Sequence, residues 1–279
     1  MASRLTYRKP AAQVAWQRQI RDDFDSPAPT SRLKLKQSTV RSVSRRLAES
    51  IILKYEWLGT MASTSVHYGI FFDNHCAGVC CVALGGSGTA GPTVGRKFGL
   101  EQRQIATLAR GACVHWAPSG ANSRLVAWTC RLLAKQHDDP EIVVAYSDSD
   151  AGEIGTIYQA CGWVYIGKTK RPSSGEYVSR QGRVINSQTV GHWARRSGLR
   201  FSVFERILID KGWSPQASNP KGIYVKPLRR GAISDRVYSM GRPYPKRAGS
   251  IDSDVPGDQP GEGGADPTPA LQKNDALQP

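Results

Sequence analysis

Asp148 and Tyr158 lie ten positions apart in the stretch Ala145-Tyr-Ser-Asp148-Ser-Asp-Ala-Gly-Glu-Ile-Gly155-Thr-Ile-Tyr158-Gln-Ala-Cys161-Gly162-Trp163. A carboxylate can take a proton from an amine and a phenol can give one to a leaving group, so the pair has the makings of a general base and a general acid. The run Ile142–Ala145 is apolar, rich in β-branched residues and bounded by Pro140 and a Ser/Asp turn, which reads as a buried strand. After the turn the period changes. Ile154, Ile157, Tyr158 and Cys161 recur at helical spacing and Gly162 supplies a stop, placing Tyr158 on the inward face of a short helix near Asp148. In open α/β sheets, reacting groups collect at such strand ends, because the strand fixes the side chain while the next loop stays accessible. The spacing alone fits equally an inward tyrosine that is only core.

The elements that would position this pair can be followed along the chain. Val40, Val43, Leu47 and Ile51 predict an amphipathic helix running into Lys54-Tyr55-Glu56-Trp57-Leu58-Gly59. Val66–Phe72 alternates, Asp73-Asn74 turns the chain, and Gly78–Leu84 returns, which predicts a β-hairpin. The glycine-rich stretch Gly85–Gly95 is expected to be a long mobile loop able to cover a substrate. Ile105–His115, with Arg110 inside it, reads as a strand. It feeds the small-residue turn Ala117-Pro-Ser119-Gly120-Ala-Asn-Ser123 and a helix from Arg124 to about Gln136, with Asn122 or Ser123 as N-cap. Free backbone N–H groups and a positive dipole end make such a turn a candidate phosphate or pyrophosphate site, although many such turns serve capping alone. A strand at Val164–Gly167, a polar loop to Gly182, a helix around Arg200–Gly212 and a last strand at Gly222–Leu228 follow. The fold class is thus α/β: a mixed central sheet flanked by helices.

The chain has 279 residues and a net charge of +15, which favours a polyanionic partner. Residues 1–163 carry a net +6, residues 164–248 a net +14 and residues 249–279 a net −5. The middle block also contains Tyr165, Tyr177, Trp193, Phe201, Trp213, Tyr224, Tyr238 and Tyr244, a mixture suited to phosphate contact with base stacking, or to core packing beneath a solvated cationic face. Residues 1–36 read as a basic arm, residues 37–248 as the catalytic domain including the basic part 164–248, and residues 249–279 as an acidic Pro/Gly tail too poor in apolar groups to order itself. Six cysteines without a Cys-x-x-Cys pair are expected to be reduced, buried small hydrophobes. No run approaches the roughly 18 apolar residues of a membrane span, so no membrane partner is expected. The five histidines are dispersed without ligand spacing; His115, at a strand end, is the one nearest the expected site.

The order helix, hairpin, Arg110 strand, small-residue turn, helix, Asp148 strand and Ile157-Tyr158-x-x-x-Gly162-Trp163 resembles the GNAT fold of acetyl-CoA-dependent N-acetyltransferases. There, the small-residue turn cradles the CoA pyrophosphate and a tyrosine of the penultimate helix protonates the leaving thiolate. The turn here does not carry the usual Arg/Gln-x-x-Gly-x-Gly/Ala sequence. Leu108-Ala-Arg110, Ser123-Arg124, Tyr146-Ser-Asp148, Gly155-Thr-Ile-Tyr158-Gln-Ala and Trp163 together resemble more closely the GNAT-like Mom family of phage DNA modification proteins, over roughly Leu47–Leu228. That resemblance implies transfer of a carbamoylmethyl (acetamido) group to N6 of adenine in double-stranded DNA, protection from restriction, and a place in the cytoplasm of an infected bacterium.

It also implies roles: Asp148 and Tyr158 catalytic, and Arg110 and Ser123 needed for activity. Ser119, Gly120 and Arg124 join Arg110 and Ser123 as candidates to hold an anionic donor. Tyr55, Glu56, Trp57, Tyr68, Lys168, Lys170 and Arg171 are candidates to meet the DNA. Where the family often has His-Tyr, this chain has Lys54-Tyr55 or Glu56-Trp57, and which pair corresponds stays open. The donor stays open too, acetyl-CoA or a related acyl donor among the choices, as does a metal ion. Two other readings remain: a GNAT acetyltransferase of a protein or small amine, which leaves the +14 block without a purpose, and a noncatalytic DNA-binding protein, which leaves the polar pair without one.

Overall fold

The structure, a computed structural model, describes residues 33–56, 61–86, 91–149, 152–169, 176–180, 184–216 and 219–246. Most of the expected arm and the whole acidic tail fall outside them, as do Trp57, Lys170 and Arg171. Residues up to Pro245 form one compact unit; of the second, Lys246–Pro279, only Lys246 is described.

The described strands are β1 (Thr39–Ser42), β2 (Val66–Phe72), β3 (His75–Leu84), β4 (Ile105–Cys113), β5 (Ile142–Ser147), β6 (Val164–Lys168), β7 (Glu176–Val178), β8 (Val184–Asn186), β9 (Ser214–Gln216) and β10 (Gly222–Pro227). The α-helices longer than one turn are α1 (Arg45–Tyr55), α2 (Ala121–Gln136), α3 (Thr156–Ala160), α4 (Ser187–Arg196), α5 (Phe201–Asp210) and α6 (Ala232–Ser239). Seven strands make the central sheet in the order β1-β2-β3-β4-β5-β10-β6. It consists of two antiparallel blades, β1 to β4 and β5-β10-β6. One parallel seam of three residue pairs joins them, Ile105–Thr107 against Ile142–Val144. Past Thr107 and Val144 the two strands no longer pair, so β4 from Leu108 onward and the end of β5 part company.

Local chemistry accounts for these elements. The β2–β3 turn places Asp73 and Asn74 at positive φ, 45° and 69°, the conformation a tight hairpin needs and these two residue types tolerate. In β3, Cys80 faces α2, where it meets Thr129, and Cys81 faces α1, where the charges of Arg45 and Glu56 reach it. The core therefore lies on both faces of the first blade, with Ile52, Ile70, Val79, Leu125 and Leu133 fully covered. A second cluster, Val94, Phe98, Ile105, Ile142, Val144, Ile223 and Val237, packs α6 and the segment before β4 against the second blade.

Several expectations need correction. Residues 39–42 form the edge strand β1 rather than the start of a helix, which begins at Arg45 because Ser44 caps it by accepting the Leu47 N–H at 3.3 Å. Val94 and Phe98 are fully buried, so the end of the glycine-rich stretch is anchored in core instead of forming part of a mobile cover. The N-cap of α2 is Gly120, at φ 84°, not Asn122 or Ser123, and no side chain caps that helix. Strands β7 to β9 form a separate three-stranded sheet that, with α4 and α5, is inserted between β6 and β10. Most aromatics of the basic block are packing residues. Tyr165, Tyr177 and Tyr224 are buried, Trp193 and Trp213 pack on the insert's core, and Phe201, Tyr238 and Tyr244 are exposed. The six cysteines are free; Cys80, Cys81 and Cys130 are buried, and burial pushes the Cys80 and Cys81 thiols up to about 12. No described helix is long and apolar enough to cross a membrane.

Candidate active site

Tyr158 is set by how α3 ends. The Trp163 N–H donates to the Tyr158 carbonyl at 3.0 Å and the Gly162 N–H to that of Gln159 at 3.0 Å, with Gly162 at φ 64°. This double closure is the Schellman pattern, and it folds Trp163 back over the residue it bonds. The two rings lie 5.1 Å apart between centroids, and Tyr224 closes the other side of Tyr158 at 5.3 Å. At its N-terminus α3 is fixed by Gly155, at φ 74°, packed so closely on Tyr224 that no β-carbon fits. The Tyr224 hydroxyl donates to the Ile154 carbonyl and accepts from Gln159 Nε2. Ile157, expected inside, is exposed because a helix this short buries only one edge. Burial, followed by the nearby Glu153 carboxylate, holds the Tyr158 phenol well above the usual tyrosine range, so it keeps its proton.

Asp148 sits one residue past β5 and is only 4% exposed. Its carboxylate Oδ2 is 3.0 Å from Lys221 Nζ. The antiparallel register dictates this pair: Ser147 opposes Gly222 on β10, so Asp148, just after β5, meets Lys221, just before β10. Gly222 also opposes Lys168, the exposed last residue of β6, which brings a second cation to the same rim. Thr169 stitches that rim by donating its N–H to the Lys221 carbonyl at 2.9 Å and accepting the Lys221 N–H on Oγ1 at 3.1 Å.

Glu153, midway between Asp148 and Tyr158 in sequence, bonds the first and lies close enough for its charge to act on the second. Glu153 Oε2 accepts the Asp148 N–H at 3.1 Å, and the Glu153 N–H donates to the Asp148 carbonyl at 2.9 Å. The same Glu153 carboxylate is the charge that acts most on the Tyr158 hydroxyl. Neither Glu153 nor Lys221 was singled out in the sequence. Lys221 could have been found by extending the β5–β10 pairing one residue; Glu153 carried no signal beyond its place in the turn.

The other expected site residues divide between the two faces of the sheet. Under α2, Cys161 Sγ reaches the Ser123 carbonyl at 3.1 Å, which ties Tyr158's helix to the first turn of α2, with Ser119 and Gly120 exposed beside it. Arg124 leaves this turn: its Nε donates to Ser38 Oγ at 2.7 Å and its Nη2 to the Ser38 carbonyl at 3.2 Å, pinning α2 to the chain before β1. On the α1 face, Arg110 stands opposite Cys81 and its charge reaches that sulfur, as does that of Glu56. A bulge in β4 at Ala109 precedes Arg110, whose Nη1 donates to the Ala109 carbonyl at 2.7 Å. Tyr55 is buried on the same face, its hydroxyl 3.4 Å from His115 Nδ1. Tyr68, expected at the DNA, is instead 1% exposed and donates to Gln136 Oε1 at 2.9 Å. It lines a cavity of about 330 Å³ with His67 and His137, remote in the fold from Asp148. Among the described residues no group of three or more His, Cys, Asp or Glu side chains is placed to hold a metal ion.

A protein-family model described as the Mom protein family matches residues 37–246. Solved structures similar to the chain include the ribosomal-protein-S18-alanine N-acetyltransferase from Escherichia coli, at 10% identity and a TM-score of 0.38, covering 70% of this chain and 96% of that one. They also include FeeM, an N-acyl amino acid synthase from uncultured soil microbes, at 12% identity and a TM-score of 0.39, covering 68% and 91%. A third is an agmatine N-acetyltransferase, at 9% identity and a TM-score of 0.40, covering 68% and 99%. A search of curated proteins found no match.

Proposed function

From the premise that this chain belongs to the Mom protein family, we propose that it is a DNA-modifying transferase that places a carbamoylmethyl group on N6 of adenine in double-stranded DNA. The observation that carries this reading is the family match over residues 37–246, which spans the strand-end site, the α2 turn and the inserted basic unit together.

The N6 amine is a weak nucleophile, its lone pair delocalised into the ring, so the reaction needs an acceptor for its proton and a donor of hydrogen bonds to the departing group. Asp148 is the acceptor in this reading, its carboxylate oriented by Lys221 and its backbone by Glu153. Tyr158, protonated and fixed by Trp163 and Tyr224, is the acid. An activated donor, when bound, supplies an electrophilic carbon and a leaving group. A carbamoylmethyl group joins N6 through its methylene carbon, so its donor would carry an electrophilic CH2 beside an amide, whereas acetyl-CoA would leave an amide on N6. Toward an anionic donor the residues present fit in one respect: α2 starts at a glycine without a side-chain cap, with first-turn N–H groups suited to a phosphate. Where β4 parts from β5 the ladder between them stops, a place where an extended amide-bearing chain could add to the sheet. In a duplex the N6 amine is paired, so the adenine must leave the stack to reach Asp148, at a cost of a few kcal/mol.

Coexpression with a plasmid, followed by mass spectrometry of the nucleosides, tests the proposal. A deoxyadenosine heavier by one carbamoylmethyl group is expected with the native chain and not with Asp148→Ala. Unmodified nucleosides together with acetyl-CoA turnover on a protein or small amine would replace this reading with an ordinary acetyltransferase.

A further inference from the structure

The insert between β6 and β10 has a core of its own, Tyr177, Ile185, Val190 and Leu208 with Trp193, Phe204 and Trp213 around it. The Tyr177 hydroxyl donates to the Glu205 carboxylate, locking the small sheet to α5. On this core α4 and α5 are joined by the turn 197–200, in which Gly198 adopts φ 67°. The Leu199 N–H donates to the Ala194 carbonyl at 2.9 Å and the Gly198 N–H to that of Arg195 at 3.1 Å, so α4 ends in the same closure as α3 and the chain turns sharply into α5. Two packed helices joined by a short glycine turn are the frame with which many proteins lay their second helix in the major groove of DNA.

The surface of this frame fits that partner. Residues 195–203, Arg-Arg-Ser-Gly-Leu-Arg-Phe-Ser-Val, are all exposed and include three arginines and no acid. Beyond them Arg206 is exposed on the outer side of α5, while Phe204 and Leu208 turn inward. Several other described cations of the basic block are tied to the protein, while Lys168, Lys211 and Arg230 are exposed singly rather than as a cluster. Lys221 pairs with Asp148, Lys226 donates to the Cys161 and Gly162 carbonyls, Arg229 to those of Pro140, Ala134 and His137, and Arg236 to that of Phe98. Among the described residues, Arg195, Arg196, Arg200 and Arg206 have no carboxylate partner. The chain enters the insert just past Lys168 and Thr169 and returns through Lys221, at the rim where Asp148 sits.

We propose that α4 and α5 are the DNA-docking module: α5 enters the major groove of a duplex by its N-terminal turn, with Arg195, Arg196 and Arg200 on phosphates and Ser202, Val203 and Arg206 along base edges. This rests on the DNA-modifying reading above and assigns it a surface. The test uses the full chain, a fluorescent duplex and anisotropy at several salt concentrations. It compares the native protein with Arg195→Ala/Arg196→Ala/Arg200→Ala and with a control of equal charge loss, Arg46→Ala/Lys97→Ala/Arg230→Ala. Removing three phosphate contacts should weaken binding about tenfold or more and lower the log–log salt slope by about 2.7, at roughly 0.9 per contact. The control should show only a small part of either change, and all three proteins should share one thermal midpoint. Native-like affinity and slope in the insert variant would overturn the docking surface while leaving the DNA reading intact. A native protein that binds no duplex at low salt would remove both.

Discussion

Gly155→Ala tests the packing that holds Tyr158. Gly155 has φ 74°, and a β-carbon there would lie 2.4 Å from Tyr224 Cε2 and Cζ and 2.7 Å from its hydroxyl. Carbon atoms settle at about 3.5–4.0 Å, so the ring would have to retreat by roughly 1 Å. It has nowhere to go: Tyr224 is fully buried, with Tyr165 at 5.2 Å and Tyr158 at 5.3 Å, and its hydroxyl is engaged with Ile154 and Gln159. Left-handed backbone costs an alanine about 1–2 kcal/mol and overpacking adds about 1–3 kcal/mol, so the loss should be about 3 kcal/mol. Gly198→Ala separates the two effects, because Gly198 has φ 67° and nothing within 4 Å of the added carbon; about 1 kcal/mol is expected there. With an unfolding entropy near 2.1 cal/mol/K per residue over roughly 200 ordered residues, the two variants should melt about 7 °C and about 2 °C below the native protein. Thermal and urea unfolding of the three proteins side by side gives the answer. Equal losses in the two variants would show that Tyr224 has room to move, and the claim that this contact positions Tyr158 would fail with it.

Three further outcomes are expected. In the proposed reaction, Tyr158→Phe should remove the modified deoxyadenosine from the nucleoside mass spectrum. Since burial raises this phenol, the unfolded chain releases its proton from about pH 10 while the folded one retains it; native stability should therefore fall as pH rises above 10, by up to about 1.4 kcal/mol per pH unit for this group, and the phenylalanine variant should lose that share of the slope. Lys221→Ala should destabilise the protein by about 2 kcal/mol in urea titrations by stranding the 4%-exposed Asp148, more than the exposed Lys168→Ala, and an equal effect of the two would deny the ion pair a structural part. Iodoacetamide at pH 8 should leave Cys80, Cys81 and Cys113 of the native protein unlabelled, their thiols pushed up to about 12 by burial, and label them in urea; rapid native labelling would contradict the packing.

What the sequence made legible follows from period and length. The hairpin, β4, α2, β5, α3, α5 and β10 each carry several residues of one period or a glycine stop, so each could be read where it stands. β1, β7, β8 and β9 have three or four residues each, too few to show a period, and β1 was absorbed into the helix that Ser44 starts. The aromatics among the arginines had the composition of a stacking surface, yet Tyr165, Tyr177 and Tyr224 make core, because composition cannot say which way a ring turns. Asp148 and Tyr158 were placed on the right elements by spacing alone. That Lys221 pairs with Asp148 depends on a strand distant in sequence, while the bond from Asp148 to Glu153 depends on the shape of a turn that no residue type specifies.

The parallel seam has a consequence for motion. Each antiparallel blade is fastened internally along whole strands, whereas the strand ladder between the blades is confined to the pairs between Ile105–Thr107 and Ile142–Val144. Since one buried core runs beneath both blades, they unfold together, and the amides expected to exchange first are those of β4 and β5 past the seam, at the margin where strand pairing stops.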